Sequence, residues 1–178
     1  AKWAPFIGHE SGRRITAAEP FNGVLAVHEW VAAQPRIRLI DTNGTSRLIE
    51  LADQPHDIEF GPNETFDTTT LRVRVQSLTQ PSTIIDVNLA DLSQAVIRQT
   101  PTPGVDLDDY ISERHWATAD DGTEVPYDIV RHKDHSGALP AVMYAYGSYE
   151  ISLPPWFSVA RLSLLDRGFA WVLVHPRG

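Results

Sequence analysis

The stretch "YAYGSYE" gathers Tyr144, Tyr146 and Tyr149 around Gly147, directly after the apolar run "PAVM". A tyrosine at the carboxyl end of a parallel strand, held by a glycine turn, stands where open α/β sheets bind their ligands. Its hydroxyl could donate to an oxyanion as it forms, a role worth about 3 to 4 kcal/mol when the donor is preorganised. The competing reading is aromatic packing with a polar tip at the surface, and composition by itself favours it.

The histidines offer less. His132 and His135 have a spacing that a metal can use on a helix, but Lys133, Asp134, Ser136 and Gly137 make the segment a polar turn. His28-Glu29 and His9-Glu10 lack the second histidine that a zincin helix requires. His175 ends an apolar strand with no serine evidently placed to pair with it, which favours a buried or interfacial role. Gly8-His9-Glu10-Ser11-Gly12 has its serine one position too late for a nucleophile elbow and no strand leading into it, so it reads as a surface loop. No other G-x-S-x-G, no Walker loop and no dinucleotide fingerprint occurs, and no cofactor or metal is expected.

The elements that must position these residues fall into two grammars. From Val24 to about Gln99, short strands alternate with turns. "VLAVHEWV", "RIRLID" and "SRLIEL" form one group, joined through Gln34-Pro35 and the hairpin signal Asn43-Gly44. "TTLRVRVQSL", "TIIDVNL" and "AVIRQ" form another, with Gln80-Pro81 at the matching place. Pro35 and Pro81 lie 46 residues apart, a period that suits propeller blades but also a hairpin-rich sandwich. After the linker-like "TPTPGVDLDD", "YISERHWATA" and "EVPYDIVRH" predict a hairpin turning at Asp121-Gly122. "PAVMYAY" predicts a strand covered on both faces. A helix is predicted from near Ser158 to Asp166, with Val159, Leu162 and Leu165 on one side and Gly168 past its end. "FAWVLVH" then completes a right-handed parallel crossover.

Composition narrows the function classes. The 178 residues carry a formal charge of -8, with an isoelectric point near 5.2, which argues against nucleic-acid or anionic-membrane partners. No apolar run has the length of a membrane span, and no signal-peptide pattern is present, so a soluble, cytoplasmic protein is expected. The absence of cysteine excludes a disulfide, a thiolate metal site or a cysteine nucleophile in these residues. The only methionine is Met143, so residue 1 is no initiator and a piece of a longer protein is expected.

The stretches "YISERHWATADDGTEVPYDIV" and "LPAVMYAYGSYEISLPPWFSVARLSLLDRGFAWVLVHPRG" resemble the prolyl oligopeptidase family of serine peptidases, most of all its oligopeptidase B (protease II) branch. The resemblance rests on Asp121-Gly122 with Val125-Pro126, on Tyr144-x-Tyr146-Gly147-Ser148-Tyr149, on Phe157-Ser158 with Arg161-Leu162, and on Asp166-Arg167-Gly168 leading to Arg177-Gly178. Upstream, "FNGVLAVHEWV" and "NETFDTTTLRVRVQSLTQPSTIIDVNL" resemble the last propeller blades of that family. The implied architecture is a mixed one: antiparallel β-propeller blades over residues 1–109, then the first strands and helix of an α/β-hydrolase peptidase domain over residues 110–178. The sequence departs from the pattern at Ala145 and Glu150, where glycines are common.

The resemblance implies an oligopeptidase that cleaves short peptides, after Arg or Lys if the oligopeptidase B likeness holds. It makes Tyr146 the oxyanion-hole donor and Tyr149 a residue lining the substrate site. The family's Ser, Asp and His follow later in the chain, so these residues alone are expected to be inactive. Two other readings compete: a non-catalytic propeller or scaffold module, and an aminopeptidase or acylaminoacyl-peptidase relative, which Tyr146-Gly147-Ser148-Tyr149 with "LSLLDRG" disfavours. Oligomeric state is not legible.

Overall fold

Local turn chemistry and period-two alternation produce three four-stranded sheets in the computed structural model, which describes residues 4–51, 54–149 and 151–176. The first sheet runs β1 (Arg13–Phe21), β2 (Val24–Val31), β3 (Gln34–Asp41) and β4 (Ser46–Leu48) in sequential order. The second repeats that order with β5 (His56–Phe60), β6 (Thr70–Ser77), β7 (Thr83–Asn88) and β8 (Gln94–Gln99). Sequential antiparallel meanders packed face to face are adjacent propeller blades, not the Greek-key layers of a sandwich. Leu71, Val73 and Val75 on β6 alternate inward and meet Ala26, Ile37 and Leu39 in one core shared by both sheets. His28 adds a polar stitch, because its Nε2 donates to the Ile58 carbonyl at 2.8 Å while Nδ1 bonds the Thr16 hydroxyl.

Several expected turns are where their residues predict. Gly44 (φ 82°) and Gly122 (φ 81°) take the left-handed conformation that a Cβ would strain, and Gln80-Pro81 lies between β6 and β7. The turn from β2 to β3 is different. It sits at Ala32-Ala33, and Gln34 and Pro35 already belong to β3, where Pro35 faces Trp30. Both alanines have positive φ, 52° and 58°, which the right-handed twist of a two-residue hairpin demands and which alanine resists. Changing Ala32→Asn and Ala33→Gly together is expected to raise stability by about 1 kcal/mol. Thermal unfolding of the double variant checks this, and an unchanged or lower midpoint would refute it. β1 and β5 lie outside the strands expected from sequence. β1 is exposed along most of its length and has no apolar alternation.

The third sheet has the order β11-β12-β10-β9 and is mixed. β9 (Tyr110–Thr118) and β10 (Glu124–His132) form the expected antiparallel hairpin, while β11 (Ala141–Ala145) runs parallel to β12 (Ala170–Val174) across the crossover helix α1 (Val159–Leu165). Ser158 caps α1 by accepting from the Arg161 N–H, and Gly168 (φ 84°) follows its end. Leu162 and Leu165 are buried against Leu78 and Val130, but Val159 is 57% exposed, so it does not share their face as expected. The third buried position belongs to Arg161, whose guanidinium lies over the rings of Trp156 and Trp171 at 5.1 and 4.9 Å. Burial lowers its pKa to about 10. At the far end of α1, Tyr110 donates to Asp166 at 2.6 Å, and burial together with that carboxylate pushes the phenol up to about 12.

β11 is the edge of this sheet among the described residues. Its apolar run predicts cover on both faces, yet Met143 is 70% exposed. The difference arises because β12 is its one described neighbour.

Candidate active site

The parallel pair β11 and β12 fixes the site. Their last paired residues are Ala145 and Val174, so Tyr146 and His175 are the first residues beyond the ends of adjacent parallel strands. This is the strand edge at which α/β sheets place ligands. Ala145, where the expected pattern has glycine, sits in ordinary strand conformation beside Val174.

The three tyrosines divide between the two readings. Tyr144 packs: its ring stacks on Trp171 at 6.1 Å and meets Trp156 edge-on at 5.9 Å. Tyr146 has no such partner, and no described residue hydrogen-bonds its hydroxyl, which leaves the phenolic O–H free to donate. Tyr149 is 86% exposed and holds φ at 59°, a region where a bulky side chain is an outlier. The Ile151 N–H closes this turn on the Ser148 carbonyl at 3.1 Å. Glu150, and the Arg177-Gly178 pair, lie outside the described residues.

His175 is buried, as expected, but it is not without a serine. Its Nδ1 lies 3.3 Å from the Ser152 hydroxyl, its Nε2 lies 2.9 Å from Asp128 Oδ2, and its backbone N–H donates to the Pro126 carbonyl. A carboxylate only accepts, so Nε2 carries the proton shared with Asp128, and Nδ1 meets the Ser152 hydroxyl. Asp128 is wholly buried and holds Arg114 through two bonds of 2.7 and 2.8 Å. Arg114 then reaches the first sheet, donating to the Ala32 carbonyl at 3.0 Å and to Gln34 Oε1 at 3.1 Å. Sequence analysis missed this cluster, although one signal was available. Counting outward from Asp121, the middle of the three-residue turn Asp120-Asp121-Gly122 that Ala119 and Thr123 close, pairs Arg114 with Asp128 across the hairpin.

Ser152, His175 and Asp128 share the residue types of a hydrolytic triad without its electrostatics. In a triad, the carboxylate stabilises the imidazolium formed when the histidine takes the serine proton. Here the Arg114 guanidinium occupies the same carboxylate, and Ser152 lies in an extended loop, not in an elbow.

Burial alone would raise the Asp128 carboxyl, but hydrogen bonds from His175 and Arg114 outweigh it and hold the group below its ordinary value of 3.8. A carboxyl lowered on folding contributes stability that is complete above pH 3.8 and is lost as pH falls through the lowered value. Asp128→Asn is therefore expected to remove about 2 kcal/mol at neutral pH and to flatten the fall in stability below about pH 4. Urea unfolding at a series of pH values tests it. A variant with the wild-type acid slope would show that Asp128 carries none of it.

The remaining sequence candidates do not converge on this site. His132 meets Tyr110 edge-on at 5.5 Å and lies 5.4 Å from the His135 ring, which sits beside Gly168. His28 lies between the first two sheets, and Ser11 lines the crevice beside Ala32 and His175 without joining the cluster. No described group of His, Asp or Glu is arranged to hold a metal, and no described helix is long and apolar enough to cross a membrane.

Comparison with known proteins extends the likeness across the chain. Residues 1–100 match the family model for the prolyl oligopeptidase N-terminal beta-propeller domain. Dipeptidyl aminopeptidase BI of Pseudoxanthomonas mexicana is 34% identical over 179 aligned positions, covering 99% of this chain and 25% of that protein. Protease 2 of Moraxella lacunata is 30% identical over 71% of this chain and 19% of its own length. Among solved structures, oligopeptidase B from Leishmania major superposes with a TM-score of 0.85 at 27% identity, covering 97% of this chain and 26% of that one. The chain thus spans about a quarter of the length of these full-coverage relatives.

Proposed function

Because this chain belongs to the prolyl oligopeptidase family of serine peptidases, we propose that it contributes the last propeller blades and the first catalytic-domain strands of a peptidase acting on short peptides. The division falls between residues 109 and 110, where the third sheet begins. Tyr146 supplies a hydroxyl to the oxyanion hole, and Tyr149 lines the substrate site. The observation that carries this reading is the free Tyr146 hydroxyl at the carboxyl end of β11, where a developing negative charge needs a preorganised donor. The serine nucleophile with its own histidine and aspartate lies outside these residues. The 178 residues alone are then inactive, since there is neither an acyl-enzyme nor a base without that triad.

Cleavage after Arg or Lys is supported by the likeness to oligopeptidase B and protease 2. A second mode, release of dipeptides from a free amino terminus, is favoured by the 34% identity to a dipeptidyl aminopeptidase. The test is intact mass before and after a fluorophosphonate probe, followed by hydrolysis of a blocked arginyl peptide, a blocked prolyl peptide and an unblocked dipeptidyl substrate. A protein well above 19.8 kDa with one adduct supports the peptidase reading. A mass near 19.8 kDa with no adduct leaves a scaffold or binding module. Activity on the blocked arginyl peptide selects the first mode, and activity confined to the unblocked substrate selects the second.

A further inference from the structure

The loop that carries Tyr146 is held at both ends. At its start, Ala145 is paired with Val174. Seven residues on, the Ser152 hydroxyl meets Nδ1 of His175 at 3.3 Å. The histidine cannot follow a moving loop, because the Pro126 carbonyl fixes its backbone and Asp128 fixes its far nitrogen. Asp128 is in turn clamped by two bonds from Arg114, whose third nitrogen donates to the Ala32 carbonyl and to Gln34 of the first sheet. Each link is a directed polar contact, and the middle of the chain is closed to water, with Asp128 and His175 0% and 3% exposed. Low local dielectric strengthens such bonds and raises the penalty for breaking any one of them.

We infer that Arg114, Asp128, His175 and Ser152 form a positioning relay that sets the Tyr146 hydroxyl relative to the first sheet. None of the four touches the reacting atoms. Their effect is to restrict the 146–152 loop, so that the oxyanion donor is in place before substrate arrives and need not be ordered during the reaction. Because Arg114 is seated on the Ala32–Gln34 turn, displacement of the first sheet from the third would release the guanidinium and loosen the tyrosine loop. The inference rests on the reading of Tyr146 as oxyanion donor.

Ser152 is the link to test, since it is half-buried and its hydroxyl can be removed without opening a cavity among the buried charges. In the intact peptidase, Ser152→Ala is expected to lower kcat roughly 10-fold with KM nearly unchanged, because misplacement of a catalytic group acts on the transition state. Ser152→Thr, which keeps a hydroxyl, should restore most of the rate. In a Tyr146→Phe background, Ser152→Ala should have almost no further effect, since the donor it positions is already gone. A wild-type kcat for Ser152→Ala, or a 10-fold loss that persists in the Tyr146→Phe background, would overturn the relay while leaving the oxyanion reading intact. Full activity of Tyr146→Phe alone would instead remove the oxyanion reading and the relay with it.

Discussion

Tyr146→Phe in the intact peptidase is expected to lower kcat by about 100- to 1000-fold while KM stays within a few-fold of wild type. The substitution removes one oxygen and keeps the ring, so substrate still meets the same apolar surface. On the proposed reading, what disappears is a donor aimed at charge that develops only in the transition state, and an interaction absent from the ground state does not enter KM. Folding is expected to be indifferent, because no described residue bonds the hydroxyl and the side chain is 38% exposed. The check is therefore paired: steady-state kinetics on a short peptide, and thermal unfolding of the same preparation. A loss of rate accompanied by a lower unfolding midpoint would point to damage to the fold. An unchanged rate would mean that another group holds the oxyanion.

The place of Tyr146 at a strand end was legible because its signal is local. An apolar strand, a tyrosine and a glycine in succession place the hydroxyl at a strand end without knowledge of the rest of the chain. The glycine turns at Gly44 and Gly122 and the helix start near Ser158 were legible for the same reason. Features set by distant partners were not. β1 becomes a strand by pairing with β2, and its own residues have no alternation, although Asn22-Gly23 just after it is a hairpin signal. Ala32-Ala33 carries no turn chemistry at all, and its positive φ values are imposed by the strands on either side. The contact between Ser152 and His175 spans the parallel crossover, where the intervening helix sets the meeting point and no short motif encodes it. Burial at a sheet edge is equally non-local, since the cover that the apolar sequence of β11 predicts depends on elements other than β12, its one described neighbour.

The largest expected effect on stability lies in the first sheet, at Glu29. Its side chain is fully buried on β2 and faces Arg36, its register partner on β3, at 2.7 Å, with Arg38 bonded to its second oxygen and Arg13 at 3.9 Å. One carboxylate thus faces three guanidiniums, of which Arg13 pairs more closely with Glu10 at 2.6 Å, and Arg13 and Arg38 are themselves largely buried. Glu29→Ala leaves Arg36 and Arg38 facing one another without their carboxylate and opens a cavity, for an expected cost of about 4 kcal/mol. Glu29→Gln keeps the shape and one acceptor, so it isolates the charge and is expected to cost about half as much. The network is not fully satisfied even in the wild type, since Arg38 Nε is buried without a partner among the described residues, and little slack remains to absorb the loss. Hydrogen exchange reports it most directly. Amides of β1 to β3 in Glu29→Ala should exchange roughly 1000-fold faster by the opening that the substitution promotes, while those of β10 and β12 change far less. Equal acceleration in all three sheets would mean that the first sheet unfolds only together with the others. No acceleration would mean that the arginines find other partners and that Glu29 is dispensable to the fold.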